Sequence, residues 1–241
     1  MRNALLLAQR EIMSYLRSPM GYVVAAVALL IEGIYFYALG LSRPAMLSAQ
    51  VLAIFFEGTA GTTMVLSCLL AMRLIAGERE NGTLVLLNTA PIREVEIVLG
   101  KFLAGLLFLS FLALLTFYMP LLIFVNGKVA VGHILVGYLG IVLLAAASLS
   151  VGLFASALAS SQVVAVLIAG ALLGLFFLIF FIAPATDPPI NGFLSSLAIF
   201  HVRQRSFMIG MLKLENVVFN LAVTFVFLLA TTKALEARRW R

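Results

Sequence analysis

The chain has 241 residues, of which 63% are hydrophobic and only 11% charged, with a formal net charge of +6. A soluble domain carries about a quarter charged residues, so this composition points to an integral membrane protein. The lone cysteine, Cys68, excludes a disulfide framework and a cysteine metal cluster. The basic residues lie mostly at the edges of apolar runs, without interleaved aromatics, which speaks for membrane topology and against nucleic acid.

The N-terminus carries early positive charge, as a signal peptide does. Arg10, Glu11 and Arg17 break its apolar run and no clean cleavage site follows, so it is read as retained. Residues 2–17 form an amphipathic segment. At about 100° per residue, Leu5, Ala8, Ile12, Tyr15 and Leu16 share one face, and Asn3, Arg10, Ser14 and Arg17 the other, with Leu7 as an exception. Such a helix lies in the membrane interface, with Arg10 and Arg17 toward headgroups or a partner. The plainer reading is a lead-in to the first span. Ser18-Pro19 then turns the chain into the bilayer.

Six apolar runs meet the roughly 20 residues that a crossing needs. They cover about 20–41, 51–73, 102–125, 133–157, 163–183 and 216–235. The expected fold is therefore all-α, with six transmembrane helices in one domain. The fourth run is rich in Gly, Ala and Ser, which lets helices approach closely and predicts a central position. The short 158–162 turn makes runs four and five a hairpin. Asn220 is expected to hydrogen-bond between helices. Placing both termini in the cytoplasm puts eleven Lys and Arg inside and leaves five outside, Arg43, Lys128, Arg203, Arg205 and Lys213.

Glu32 and Glu57 fall within the first two spans. Ionisable groups there tend to face a bundle interior or a water-filled cavity, so both are candidates for a shared translocation path. Residues 184–215 are broken by Pro184, Pro188, Pro189, Asn191 and Gly192. Within them Phe193 to Phe200 is apolar but too short to cross, and reads as an interfacial or re-entrant helix on the outer face. The cations that follow are either a solvated fringe or a contact for an anionic substrate or an extracytoplasmic accessory protein.

The most informative stretch is the polar interval 74–101, between the second and third spans. With its flanks it holds Arg73, Glu78, Arg79, Glu80, Gly82, Thr83, Pro91, Arg93, Glu94, Glu96, Gly100 and Lys101. Glu78, Arg79 and Glu80 are expected to pair with a partner and with each other, and Leu84, Leu86 and Leu87 to add apolar burial. Pro91 suits the first turn of a helix leading into the third span. Gly100, at the membrane entry, is either a hinge or a close-packing position. The chain has no G-x-x-x-x-G-K-[ST] phosphate loop, so any ATP hydrolysis must come from another polypeptide.

These residues carry a family likeness. Met72-Arg73, Glu78 to Thr83, Pro91-Ile92 and Leu99 to Phe102 stand in an order that resembles the membrane subunit of ABC type-2, export-type transporters, especially the gliding-motility-associated permease group. Phe55-Phe56-Glu57, Gly137 to Gly140, Gly152 to Ser156, Gly210 and Leu235 to Trp240 look like that group too. The likeness covers nearly the whole chain. It departs at Gly77, Val85 and Asn216, where the group often has acids, and His201 has no secure counterpart. The resemblance implies a non-catalytic permease working as a dimer, homo- or heteromeric, with a dimer of cytoplasmic ATPase subunits. No cofactor is expected on this chain, and ATP and Mg belong to the ATPase. It further implies that the 74–101 region docks in a groove of the ATPase beside the N-terminal helix, and that the location is the bacterial inner membrane. The alternatives are a stand-alone secondary transporter or channel, for which no matched pair of broken helices is visible, an intramembrane enzyme, for which no catalytic motif is visible, and a membrane anchor.

Overall fold

The computed structural model describes residues 2–42, 46–83, 93–182 and 203–239. Pro91, the leucines at 84, 86 and 87, Val85, Arg43, His201 and the expected 193–200 helix lie outside these residues. The described residues are helical, without strands. In chain order they form α1 (Arg2–Arg17), α2 (Pro19–Tyr35, continued as a π-helical turn Phe36–Leu41), α3 (Ser48–Leu74), α4 (Ala76–Glu80) and α5 (Glu94–Leu115). Then come α6 (Tyr118–Asn126), α7 (Val131–Leu158), α8 (Gln162–Ile182), α9 (Gln204–Met208) and α10 (Leu214–Arg239). Six stretches are long and apolar enough to cross a bilayer, matching the six expected.

The second and third stretches exceed their expected bounds. Ser48–Glu80 has 33 residues and Glu94–Val125 has 32, each counted across a break. The hydrocarbon core is about 30 Å, and α3 alone, with 27 residues, is about 40 Å long at 1.5 Å per residue. Within the expected polar interval residues 76–80 and 94–101 are helical, and Gly100 and Lys101 lie inside α5, the helix that leads into the third span.

The third span is not the single helix that 102–125 suggested. It breaks at Thr116–Phe117, between α5 and α6. Pro120 explains the position: it lacks an N–H, and its ring crowds the carbonyl four residues earlier, which is that of Thr116. The Thr116 hydroxyl donates to the Ala113 carbonyl at 2.7 Å and lies 3.3 Å from the Tyr138 hydroxyl.

As its small residues predict, α7 is the central helix and is buried nearly all round. It packs against α3, α5, α8, α9 and α10. Its glycines set the separations. A Cβ at Gly152 would lie 2.6 Å from the Ala71 Cβ, and one at Gly137 or Gly140 would collide with Phe56 or Phe207. By contrast α2, α8 and α10 show large apolar side chains outward, among them Val27, Ile34, Leu167, Leu175, Leu221 and Phe225.

The N-terminal helix lies along α5 with a different face inward from the one expected. Ala4, Leu7 and Ala8 are buried, whereas Leu5 and Leu16 are exposed together with Leu6 and Met13. Leu7, the apparent exception, packs with Ile97. The helix thus has two apolar faces, one for α5 and one left outward. Averaging them into a single face hid the inner one.

Asn220 also departs from expectation. Its amide donates to the Asn216 carbonyl one turn back on α10, at 2.8 Å, rather than to another helix.

Gly137→Val is expected to force the side chain into Phe56, and overpacking of this kind costs about 1–3 kcal/mol. Thermal unfolding of the detergent-purified chain should show a lower midpoint. Phe56→Ala in the same chain should restore part of the loss.

Candidate coupling site

Lys101 is the one charged side chain that is fully buried among the described residues. Its Nζ lies 2.8 Å from Glu78 Oε1 on α4 and 3.1 Å from Glu11 Oε1 on α1. The exposed Arg10 Nη2 stands 3.8 Å from each of those oxygens. Two bases and two acids from three helices thus form one neutral group. Glu78 Oε2 is buried without a hydrogen-bond partner among the described residues. Gly100, immediately before Lys101, is covered by α1. A Cβ there would sit 2.9 Å from the Ala4 carbonyl oxygen and 3.0 Å from Leu7. This glycine allows close packing of α1, one of its two expected roles.

The short α4 reaches further helices with its next two residues. It begins where α3 breaks at Ile75. The break frees the N–H groups of Ile75 and Ala76, and both donate to the buried Ser156 hydroxyl of α7, at 3.3 and 2.9 Å. Arg79 donates to the Ala157 carbonyl at 3.2 Å and to the Ala159 carbonyl, and Arg238 of α10 donates to the Leu158 carbonyl. Two guanidinium groups therefore satisfy the orphan carbonyls that end α7. Glu80 Oε2 accepts from the Gln162 N–H at 3.3 Å, an acid at the positive end of α8.

Gly82 and Thr83 end α4. Gly82 has φ +72. Its N–H donates to the Arg79 carbonyl, and the Thr83 N–H donates to the Glu78 carbonyl at 2.9 Å. This is a Schellman cap, which calls for a left-handed residue at the glycine position.

Within the chain, each of Glu78, Arg79 and Glu80 has a contact of its own. Glu78 and Arg79 are committed to their own chain, and Glu80 is exposed but holds α8. Arg10, Arg17 and Arg73 are exposed, as are Gly82 and Thr83. The two expected path acids separate. Glu32 is buried, and its Oε2 has no hydrogen-bond partner among the described residues. Glu57 is half-buried and lines two cavities, of about 550 Å³ beside Arg205 and about 430 Å³ beside Tyr35. Glu32 lines neither of these two cavities.

At the opposite end of the bundle Arg203, expected on the outer face, is not a solvated charge. It is buried, stacks over Phe219 with its guanidinium carbon 3.9 Å from the ring centre, and donates to Glu215 at 3.1 Å. The Asn216 amide donates to the Arg203 carbonyl at 3.1 Å. An aspartate there has no donor to offer, which gives the departure at 216 a physical reason.

The model of the ABC-2 family transporter proteins matches residues 6–238, from α1 to the end of α10. The chain belongs to the ABC-2 family. No curated protein matches it. As an ABC-2 permease with six apolar helices it is a multi-pass membrane transport protein, and the family's membrane subunit is not itself catalytic.

Sequence reading missed several residues of this permease's site: Glu11, Ser156, Gln162 and Arg238. Glu11 had a signal. With Ala4, Leu7, Ala8 and Tyr15 it falls on one face at spacings of three and four, the face that α5 covers. Ser156 had none, being one small residue in a run of them.

Removing one member of a buried ion pair costs about 3–5 kcal/mol, because the other is left uncompensated. Lys101→Met is expected to lower stability by that order. Combining it with Glu11→Gln and Glu78→Gln should recover much of the loss. Strictly additive losses in thermal unfolding of the single and combined variants would argue against one coupled group. Gly82→Ala should cost about 1–2 kcal/mol through its left-handed backbone, without disturbing the Lys101 group.

Proposed function

We propose that this ABC-2 permease forms the translocation path of an ATP-driven exporter, and that the end carrying α1 and α4 is the cytoplasmic face that receives force from a separate ATPase dimer. The observation that carries the reading is the Lys101 group. It joins α4, α1 and α5 through charges that have no alternative partners in a low-dielectric interior. A push on the turn that follows Gly82 would move α4, and α4 could not move without carrying α5, the end of α7 and the start of α8.

Three further observations support the reading. The Lys and Arg distribution favours this end as cytoplasmic. The exposed turn Asn81–Thr83, where the Schellman cap ends α4, is the surface suited to meeting the motor. The sequence lacks a phosphate loop, so the motor is another polypeptide. The docking surface then comprises that turn with Arg10, Arg17 and Arg73, whereas Glu78, Arg79 and Lys101 are transmission residues behind it. Exposed pairs contribute only about 0–1 kcal/mol, so the arginines set register more than affinity.

A second permease chain would complete the path, with Glu57 and Arg205 facing the cavity between them at the outer end. The bacterial inner membrane is the proposed location. The order of motifs from Met72 to Phe102, together with Phe55-Phe56-Glu57 and the ending Leu235 to Trp240, favours the gliding-motility-associated group within the family.

Two experiments test this. Co-expressed with its ATPase and reconstituted, Glu80→Arg or Gly82→Arg should leave insertion and basal hydrolysis intact while uncoupling hydrolysis from transport. Normal coupling in both would sink the docking model. Replacing Cys68 with Ala and adding a cysteine at Asn81 should give a thiol that labels only from the cytoplasmic side. Labelling from outside would reverse the topology.

A further inference from the structure

Between the α1–α2 elbow and helices α3 and α5 lies a slot of about 160 Å³. Its walls are hydrocarbon: Val24 of α2, Leu66 and Leu69 of α3, and Leu109 and Leu112 of α5. One end of its lining is polar, with Ser14, Tyr15, Ser18 and Arg73. An apolar cavity of about 150 Å³ stays dry and takes a guest the size of benzene, so this interior suits an alkyl segment rather than a polar solute. The elbow that frames it is tight. A Cβ on Gly21 would run into the Tyr15 carbonyl, and the Tyr15 ring packs against Phe108 with centroids 5.3 Å apart.

The polar end has a defined charge. The neighbouring acids Glu11 and Glu78 are engaged by Lys101 and Arg10. Arg73 is exposed at the end of the second span and pairs with no carboxylate among the described residues. Burial first, and then the Glu11 and Glu78 carboxylates, push the Tyr15 phenol up, with Arg73 pulling the other way. The phenol therefore stays protonated and able to donate. Arg10 and Arg17 are exposed on α1, whose outward row of Leu5, Leu6, Met13 and Leu16 is the face an interfacial helix turns to lipid.

We propose that this slot binds one anionic phospholipid from the leaflet in which α1 lies, with an acyl segment between α2, α3 and α5 and the phosphate on Arg73 and the adjoining hydroxyls. The bound chain fills the space under the elbow and holds α1 in the position from which Glu11 reaches Lys101. The polar end selects the headgroup charge and the walls require a tail, so neither a free phosphate nor a neutral lipid satisfies the site. The assignment does not depend on which side of the membrane α1 occupies, nor on the ATPase.

The test uses the full chain, purified and delipidated in a nonionic detergent. Thermal unfolding and native mass spectrometry are followed while phosphatidylglycerol, phosphatidylcholine or glycerol phosphate is added. Phosphatidylglycerol is expected to raise the midpoint and remain bound, phosphatidylcholine to do so weakly, and glycerol phosphate to have no effect. Arg73→Gln should weaken phosphatidylglycerol binding about fivefold, and Arg73→Lys should retain most of it. Leu69→Trp, at a position already 40% exposed and so tolerant of size, should fill the slot and abolish the phosphatidylglycerol shift. Equal response to both lipids, unchanged selectivity in Arg73→Gln, or an undiminished shift in Leu69→Trp would overturn the proposal. A full response to glycerol phosphate alone would overturn it too, in favour of a soluble-anion site.

Discussion

The burial of one ammonium group organises the end of the bundle that carries both termini. Removing Lys101 from water costs several kcal/mol after relaxation, and the cost is offset only if carboxylates arrive with good geometry. Two do, from different helices: Glu11 on α1 and Glu78 on α4. Neither helix can leave without exposing the group or stranding a charge. That requirement reaches back to Gly100, whose missing side chain allows α1 to lie against α5, and forward to the break at Ile75, which sets α4 apart from α3. A buried ion pair is weak evidence for stability as such. Its stronger consequence is specificity, because one arrangement of three helices satisfies all the charges together.

The five residues of α4 then do what a longer helix would not. Successive side chains turn by about 100°, so Glu78, Arg79 and Glu80 face three directions. They find, in turn, the Lys101 group, the carbonyl end of α7, and the N–H end of α8. The charges match the helix ends they meet, guanidinium on carbonyls and carboxylate on N–H. Since α7 is the helix on which most others pack, an element joined to its end is joined to the bundle. The opposite end is tied differently, through the stacking of Arg203 on Phe219 and its pairing with Glu215.

Much of this was legible from sequence. Six apolar runs, the central α7, the hairpin at 158–162 and an amphipathic first helix all follow from hydrophobicity, small-residue content and periodicity. What misled were features with two causes. Leu7 looked like an exception because α1 has two apolar faces. The polar interval 74–101 read as one region, and its described part divides into α4 and the first turns of α5. Glu78 and Arg79 read as charges for a partner and for each other, and within the chain they meet the Lys101 group and the carbonyl end of α7. Glu32 and Glu57 looked alike in position but differ in environment, since one is sealed among neighbouring helices and the other opens on a cavity.

By itself, then, the sequence determined class, span number and family, because these depend on composition and on patterns local to each helix. Tertiary structure alone decided the contacts that the charges of 74–101 make within the chain. Lys101 is 90 positions from Glu11, and Arg79 is 78 from Ala157. Contacts over such separations depend on how helices cross, and that is set by where glycines permit close approach and where broken helices expose N–H and carbonyl groups. No local pattern encodes those crossings, so the same acids and bases that read as an outward-facing cluster became the internal ties of the bundle.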